Sequence, residues 1–319
     1  SLRPWRPRPI WNGMNTHIGF IGQGWIGKNY ADDFERRGYP VTRYAREKEY
    51  EGNKEKIKNC DIVFIAVPTP THNQKFDDSV VREVAKLVGK GKIAVIKSTM
   101  TPGTTESIQK ENPDIFVFHS PEFLTEVTAA EDAAHPFRNI IGIPEDNEEF
   151  RQKAKEVLGV LPKASFELIC RAKEAELIKY GGNNWFYFKV IYINLLYDLV
   201  QKMGCDWGVI RDAMAADPRI GTSHMNPMHE SGTSGGEAWK KLPFSELHLE
   251  PLHKGGRGAG GHCFIKDFAA FSEMYKKEVG DELGNLILDA LKNKNINLLV
   301  SSNKDMELLK GVYGDVWNK

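Results

Sequence analysis

The chain has 319 residues, 43 Lys plus Arg balanced by 43 Asp plus Glu, and 41% hydrophobic against 27% charged residues. That length suits two domains of a soluble globular protein, and the zero net charge leaves no global field to draw nucleic acid or an anionic membrane. No apolar run approaches the length of a membrane span, and four cysteines (Cys60, Cys170, Cys205, Cys263) without CxxC spacing argue against a metal centre and a secreted disulfide scaffold, so a reducing cytoplasm is expected.

Residues 1–13 are rich in Arg and Pro, lack the apolar core of a signal peptide, and read as a flexible leader. A dinucleotide-binding domain is expected over 14–165. Residues 16–21 form a short apolar run that enters Gly22-Gln23-Gly24-Trp25-Ile26-Gly27, then a helical pattern to about Arg37, ended by Gly38. Strand, GxGxxG and helix in that order make a phosphate cradle. Gly22 allows the tight turn, Gly24 leaves room for a pyrophosphate, Gly27 lets helix and strand pack closely, and the N–H groups at Trp25 and Ile26 open toward the phosphates. Residues 41–44 read as the second strand, which should end in an acid for the adenosine ribose. Ala45 stands there instead, between Arg43 and Arg46. An arginine suits a 2′-phosphate, so Arg46 leaves NADP open beside NAD.

Further strands are expected at 62–67, 93–97, 115–118 and 139–143, several of them nearly all apolar as parallel strands covered on both faces are. Helical patterns lie between them, which gives an α/β doubly wound Rossmann-type sheet. Its strand ends carry polar segments: Val67-Pro68-Thr69, Ser98-Thr99, and Ser120-Pro121-Glu122-Phe123-Leu124-Thr125-Glu126. Turn chemistry accounts for the prolines there but not for Glu122 and Glu126 beside a cofactor cleft.

An all-helical central domain is expected over 166–319. Residues 173–201 read as one long helix, on which Lys179 and Asn183 are four apart and project together. A cation beside an amide donor suits a developing oxyanion, although a solvated helix face would carry the same pair. The run Gly255-Gly256-Arg257-Gly258-Ala259-Gly260-Gly261-His262-Cys263 delivers one thiol, and Asp267 follows four residues later. If a helix starts at the thiol, Cys263 and Asp267 share a face, and the helix N-terminus favours thiolate. That is what a cysteine nucleophile needs; a capped helix with a buried cysteine is the plainer alternative.

Six of these pieces occur in the order found in the UDP-glucose/GDP-mannose dehydrogenase family, which the chain resembles from about residue 16 to 299. They are the glycine motif, Lys97-Ser98-Thr99 with Pro102-Gly103-Thr104, Ser120-Pro121-Glu122-Phe123-Leu124, Ala175-Glu176 through Lys179-Tyr180 to Asn183, Asp217-Pro218-Arg219-Ile220-Gly221, and Gly260-Gly261-His262-Cys263 to Lys266-Asp267. The resemblance implies an NAD-dependent oxidation of the C6 alcohol of a nucleotide sugar, UDP-glucose in type, to a uronate for polysaccharide biosynthesis. Two hydride transfers proceed through a thiohemiacetal and a thioester on Cys263. It also implies that Asp267 and Thr99 position a water or proton relay, that Glu126 assists hydrolysis, and that Lys179 and Asn183 hold the oxyanion. Glu122, Phe123, Leu124 and Gly260 would line the substrate, with Arg219 reaching it across a dimer interface. A homodimer is further expected because the aromatic-rich long helix would leave an apolar stripe exposed.

The chain departs from the family's pattern in three respects. A second nucleotide-gripping domain is expected to be missing after Lys319. The loop over 222–257 is longer than usual, and its part 226–252 with Trp239, Lys240 and Lys241 is a candidate lid. Ile265 replaces the usual proline, and Ala45 the ribose acid. His224, His229, His248 and His253 lack metal spacing and read as solvated loop histidines. Two other functions remain: a two-electron hydroxy-acid dehydrogenase, which would not need Cys263, and a non-catalytic dinucleotide-binding relative.

Overall fold

A computed structural model describes residues 15–72, 75–125, 128–229 and 255–315. They form two compact units: one takes the chain up to Pro68, Ser79–Glu122 and Ala129–Glu176, the other Thr69–Asp78, Phe123–Thr128 and the chain from Leu177 onward.

The first unit opens with β1 (Ile18–Ile21), α1 (Trp25–Arg36), β2 (Val41–Tyr44), a 3-10 stretch Glu51–Asn59 and β3 (Ile62–Ile65). After the two-residue strands β4 (Thr71–His72) and β5 (Lys75–Phe76) of the other unit come α2 (Ser79–Ala85), β6 (Ile93–Ile96), α3 (Thr104–Glu111) and β7 (Phe116–His119). Then follow α4 (Ala129–Ala134), β8 (Arg138–Ile143), α5 (Glu148–Val160) and β9 (Phe166–Arg171). The sheet has seven strands in the order β2-β1-β3-β6-β7-β8-β9. Its first five are parallel, with Ile18 opposite both Val41 and Ile62, and Ile62 opposite Ile93. β8 meets β7 antiparallel at His119 and Gly142 and pairs with β9 in parallel.

The strands β1, β3 and β6 read IGFI, IVFI and IAVI and are buried along their whole length. An unbroken apolar run is stable as a strand only when helices cover both faces, which is what βαβ crossovers provide. Phe20 stacks on Phe64 with ring centroids 5.1 Å apart, and Phe34 of α1 meets Phe20 edge-on at 5.6 Å. Strand order reverses between β1 and β3, and the crevice at such a point is where open α/β sheets take ligands.

This unit runs past residue 165, because β9 closes the sheet next to β8 and the first residues of the following helix stay with it. β9 is an edge strand with exposed Phe166 and Glu167, so no continuous apolar run announces it. Glu176, wholly buried, accepts hydrogen bonds from Gly103 N (2.6 Å), Thr105 N (2.9 Å) and Thr105 Oγ1 (2.6 Å), closing the N-terminus of α3.

The second unit is helical: α6 (Ala172–Lys202, beginning in the first unit), α7 (Trp207–Ala215), α8 (Gly261–Glu278), α9 (Glu282–Ser301) and α10 (Met306–Tyr313). A short ladder of β10 (Met228–His229) with β11 (Gly256–Arg257) precedes α8. Tyr187 of α6 stacks on Phe268 of α8, centroids 4.0 Å apart and planes 6° from parallel, within a core that adds Val190, Ile191 and Leu288. A second cluster joins Ile265 and Ala269 of α8 to Leu299, Leu309 and Val312. No helix among the described residues is long and apolar enough to cross a membrane.

Candidate functional site

In the first unit, β1 ends at Ile21 and the chain turns through Gly22 at φ 92°, a conformation glycine tolerates and side chains resist. A Cβ on Gly22 would lie 2.2 Å from the Ala66 carbonyl oxygen, and one on Gly27 would lie 1.9 Å from the Gly22 carbonyl oxygen. Both positions are closed to any larger residue. Gly24, the N-cap of α1, differs: a Cβ there would meet nothing within 4 Å. The open space lies at a helix N-terminus with no acidic residue in its first turn and no side-chain cap, so the N–H groups around Trp25 and Ile26 keep their affinity for an anion. The residues present therefore fit a dinucleotide diphosphate. Beside β1, Val67 follows β3, and its N–H and carbonyl bond Ser98 Oγ at 3.0 and 2.7 Å. Pro68 is exposed at the same loop. Thr69, just beyond it, is buried and groups with the second unit.

At the end of β2, Ala45 is buried and offers no carboxylate. Arg43 is held by Asp32 (2.7 Å) and Glu35 (2.7 Å) and by Gln23 Oε1 (3.2 Å), so its charge is already matched by α1. Burial works against the Asp32 anion, but hydrogen bonds from Lys28 and Arg43 outweigh it and hold the carboxyl below its ordinary range. Arg46 lies exposed one residue further on.

Thr99 is half-buried past the end of β6, and Glu122 is buried past the end of β7. Between these strand ends lies a buried polar node: Lys97 Nζ donates to Ser120 Oγ at 3.2 Å and sits 4.4 Å from the Tyr30 ring centroid. Burial first, then the nearby Glu122 charge, pushes the Tyr30 hydroxyl up. Glu126 lies outside the described residues.

In the second unit, α8 starts at Gly261, two residues before the expected point, so Cys263 stands in its first turn and is exposed. Asp267 is buried one turn later. Its Oδ2 accepts from Asn183 Nδ2 of α6 at 2.6 Å and its Oδ1 from Lys266 Nζ at 2.7 Å. Lys179 is buried on α6 with Nζ 5.8 Å from the Phe123 ring centroid, and Leu124 is half-buried next in the chain. Burial alone would lower Lys266, but Asp267 and then Cys263 beside it raise it and keep it cationic. Lys266 is a functional candidate that the spacing argument passed over. A lysine next to an acid on a helix is ordinarily a solvated ion pair; this one keeps only 20% of its side chain exposed, and its charge interacts with both the Asp267 carboxylate and Cys263.

The structure thus brings together Cys263, Asp267, Asn183 and Lys179, with Lys266 added and Gly260 buried as the N-cap of α8. Arg219 is exposed and paired with its own neighbour Asp217 at 2.6 Å. His224 departs from the solvated reading. It is buried, stacks on Phe186 at 4.3 Å with planes 16° apart, and lies 5.7 Å from the Phe264 ring. Burial and then Lys189 push it down to about 4. His248, His253, Trp239, Lys240 and Lys241 lie outside the described residues, among which no group of three His, Cys, Asp or Glu is placed to hold a metal ion.

Residues 43–159 match the profile described as "UDP-glucose/GDP-mannose dehydrogenase family, NAD binding domain", and residues 173–244 match that family's central domain. A UDP-glucose 6-dehydrogenase of Rickettsia bellii is 30% identical over 275 residues, 77% of this chain and 56% of that protein. Another, from Rhizobium meliloti, is 30% identical over 230 residues, 68% of this chain and 46% of that protein. The chain spans about half the length of these curated relatives. Among solved structures, a UDP-glucose dehydrogenase from Pyrobaculum islandicum has TM-score 0.70 at 23% identity, covering 93% of this chain and 70% of that one. The 3-hydroxyisobutyrate dehydrogenase of Mycobacterium tuberculosis has TM-score 0.65 at 14% identity, covering 94% and 98%. At these identities the likeness is one of fold.

Proposed function

Because the chain belongs to the UDP-glucose/GDP-mannose dehydrogenase family, we propose that it oxidises the C6 alcohol of a nucleotide sugar, UDP-glucose in type, to the carboxylate. NAD, which the family's N-terminal domain binds, supplies the chemistry of accepting hydride, once for each of two oxidations. Gly22, Gly24, Gly27 and the N–H groups at Trp25 and Ile26 would hold its diphosphate.

The observation that carries the reading is the paired hold on Asp267 by Asn183 and Lys266, one turn past an exposed cysteine in the first turn of α8. The first oxidation removes a hydride from C6 and a proton from its hydroxyl, leaving an aldehyde. Cys263 sulfur then bonds to the aldehyde carbon, and the carbonyl oxygen, stabilised by Lys179 and Asn183, takes a proton to give a thiohemiacetal. Loss of a second hydride and a proton leaves a thioester. Water adds to it, the carbon–sulfur bond breaks, and the thiol and carboxylate separate. Lys266 favours the departing thiolate, and Asp267 moves the proton of the attacking water. Thr99 and Glu126 would belong to the same relay; Glu122, Phe123, Leu124 and Gly260 would border the sugar; and Arg219 would complete the site of a partner copy. A homodimer in the cytoplasm is part of this reading.

The test is a panel of nucleotide sugars with NAD or NADP, counting reduced cofactor per sugar. Two per sugar are expected with at least one UDP-sugar, and Cys263→Ser lowers the yield to one with aldehyde accumulating. In a two-electron hydroxy-acid dehydrogenase of the same fold the thiol has no task, so Cys263→Ser would leave a yield of one unchanged.

A further inference from the structure

The loop that delivers Cys263 is held by a part of the chain the proposed mechanism does not use. Lys304, wholly buried, donates from Nζ to the carbonyl oxygens of Gly256 (3.3 Å) and Gly258 (3.1 Å). Ser302 Oγ accepts from Arg257 N at 3.0 Å. Asn295 brackets Ala259, accepting from its N–H at 2.7 Å and donating to its carbonyl at 3.0 Å. Asp305 Oδ2 accepts from Gly261 N at 2.7 Å. Every residue from Gly256 to Ala259, and then Gly261, is therefore tied to α9 or to the turn that leads into α10. The Arg257 side chain reaches the other way, to Asn194 Oδ1 (2.8 Å) and Asp198 (2.6 Å) of α6.

Two further observations mark the turn as more than a connector. Asn303 and Asp305 flank Lys304 at φ 50° and 52°, the left-handed region that non-glycine residues occupy at a cost. A buried ammonium is also costly, and an apolar side chain of the same length would fill the space with less penalty. What the ammonium adds is donors aimed at two carbonyls of one loop.

We propose that the α9–α10 turn, through Lys304 and Asp305, is a positioning device that sets the Cys263 loop for addition of the thiol to the aldehyde. The inference rests on the reading of Cys263 as nucleophile. Asp305 fixes the first N–H of α8, Lys304 fixes the two carbonyls upstream, and Cys263 follows two residues after the fixed N–H. Loosening either anchor frays the first helical turn and withdraws the oriented N–H groups that favour thiolate.

The experiment uses Lys304→Ala, Asp305→Ala and Asp305→Asn in the full chain, alkylated with iodoacetamide at pH 7. Mass spectrometry then compares labelling at Cys263 with that at Cys205, which is also exposed and serves as internal reference. Lys304→Ala and Asp305→Ala are expected to lower the Cys263-to-Cys205 rate ratio about threefold or more. They are also expected to drop the yield of reduced cofactor from two toward one per sugar. Asp305→Asn keeps an acceptor for Gly261 N and restores both. An unchanged ratio and yield in the alanine variants would overturn the proposal. So would loss of both oxidations together, in step with loss of amide protection across α8 and α9, since the turn would then only hold the fold. If Cys263→Ser still delivers two reduced cofactors per sugar, the nucleophile reading fails instead, and the alkylation ratios still measure the loop's placement.

Discussion

His224 occupies a left-handed backbone position, φ 60°, with its ring pressed on Phe186 and against Phe264. An unfolded histidine takes up a proton as pH falls through about 6.5, whereas the folded ring waits until about 4. Between those values the unfolded chain binds more protons, so stability falls with falling pH, by up to about 3 kcal/mol once both pKa values are passed. The expected outcome is a thermal midpoint that drops from pH 7 to pH 4 in the native chain and loses that part of its slope in His224→Asn, measured by calorimetry. Neither His224 nor Lys266 reveals its situation in sequence. A loop histidine and a lysine beside an aspartate are ordinarily solvated; here His224 packs on Phe186 of α6, distant in the chain, and Lys266 keeps little of its side chain exposed. Cys263, Asp267, Lys179 and Asn183 are legible because four-residue spacing on a helix is a local rule.

At the scale of elements, α1 and its glycine turn separate two kinds of requirement. Gly27→Ala drives a methyl group into the Gly22 carbonyl oxygen and is expected to cost about 1–3 kcal/mol along with dinucleotide binding. Gly24→Ala places its methyl in open space, so the melting temperature should hold while NADH affinity falls at least tenfold; thermal melts and a fluorescence titration on Trp25, 42% exposed beside the turn, distinguish the two. The strands β1, β3 and β6 are legible because a run buried on both faces has only one composition available to it. β9 is not legible: its half-exposed pattern runs straight into α6, and only pairing with β8 defines it. The ties from Asn295, Ser302, Lys304 and Asp305 to the cysteine loop are equally silent in sequence, because hydrogen bonds to backbone groups some forty residues away leave no periodic mark.

At the scale of the whole molecule, α6 presents two opposed faces. Leu177, Trp185, Tyr192, Leu195 and Leu199 are all exposed and fall within an arc of about 80° around the helix axis, whereas Lys179 and Asn183 lie on the far side. An apolar stripe of that extent marks a protein contact, and the occupant proposed above is a second copy of this chain. Trp185→Glu and Leu199→Glu are each expected to weaken self-association by about 2 kcal/mol or more, roughly 30-fold in Kd, in light scattering over a dilution series. A native chain that is monomeric throughout that series would remove the dimer from the reading.

Glu176 pegs α6 to α3 by three hydrogen bonds, and Lys179 follows within a single turn. One residue inserted between the peg and Lys179 would swing the ammonium by about 100° relative to Glu176, while one inserted beyond Asn194 would leave that offset unchanged and rotate Leu195 and Leu199 together with Asp198, the partner of Arg257. A length change in the distal half of this helix would thereby reach both the outward stripe and, through Asp198, the loop that carries Cys263.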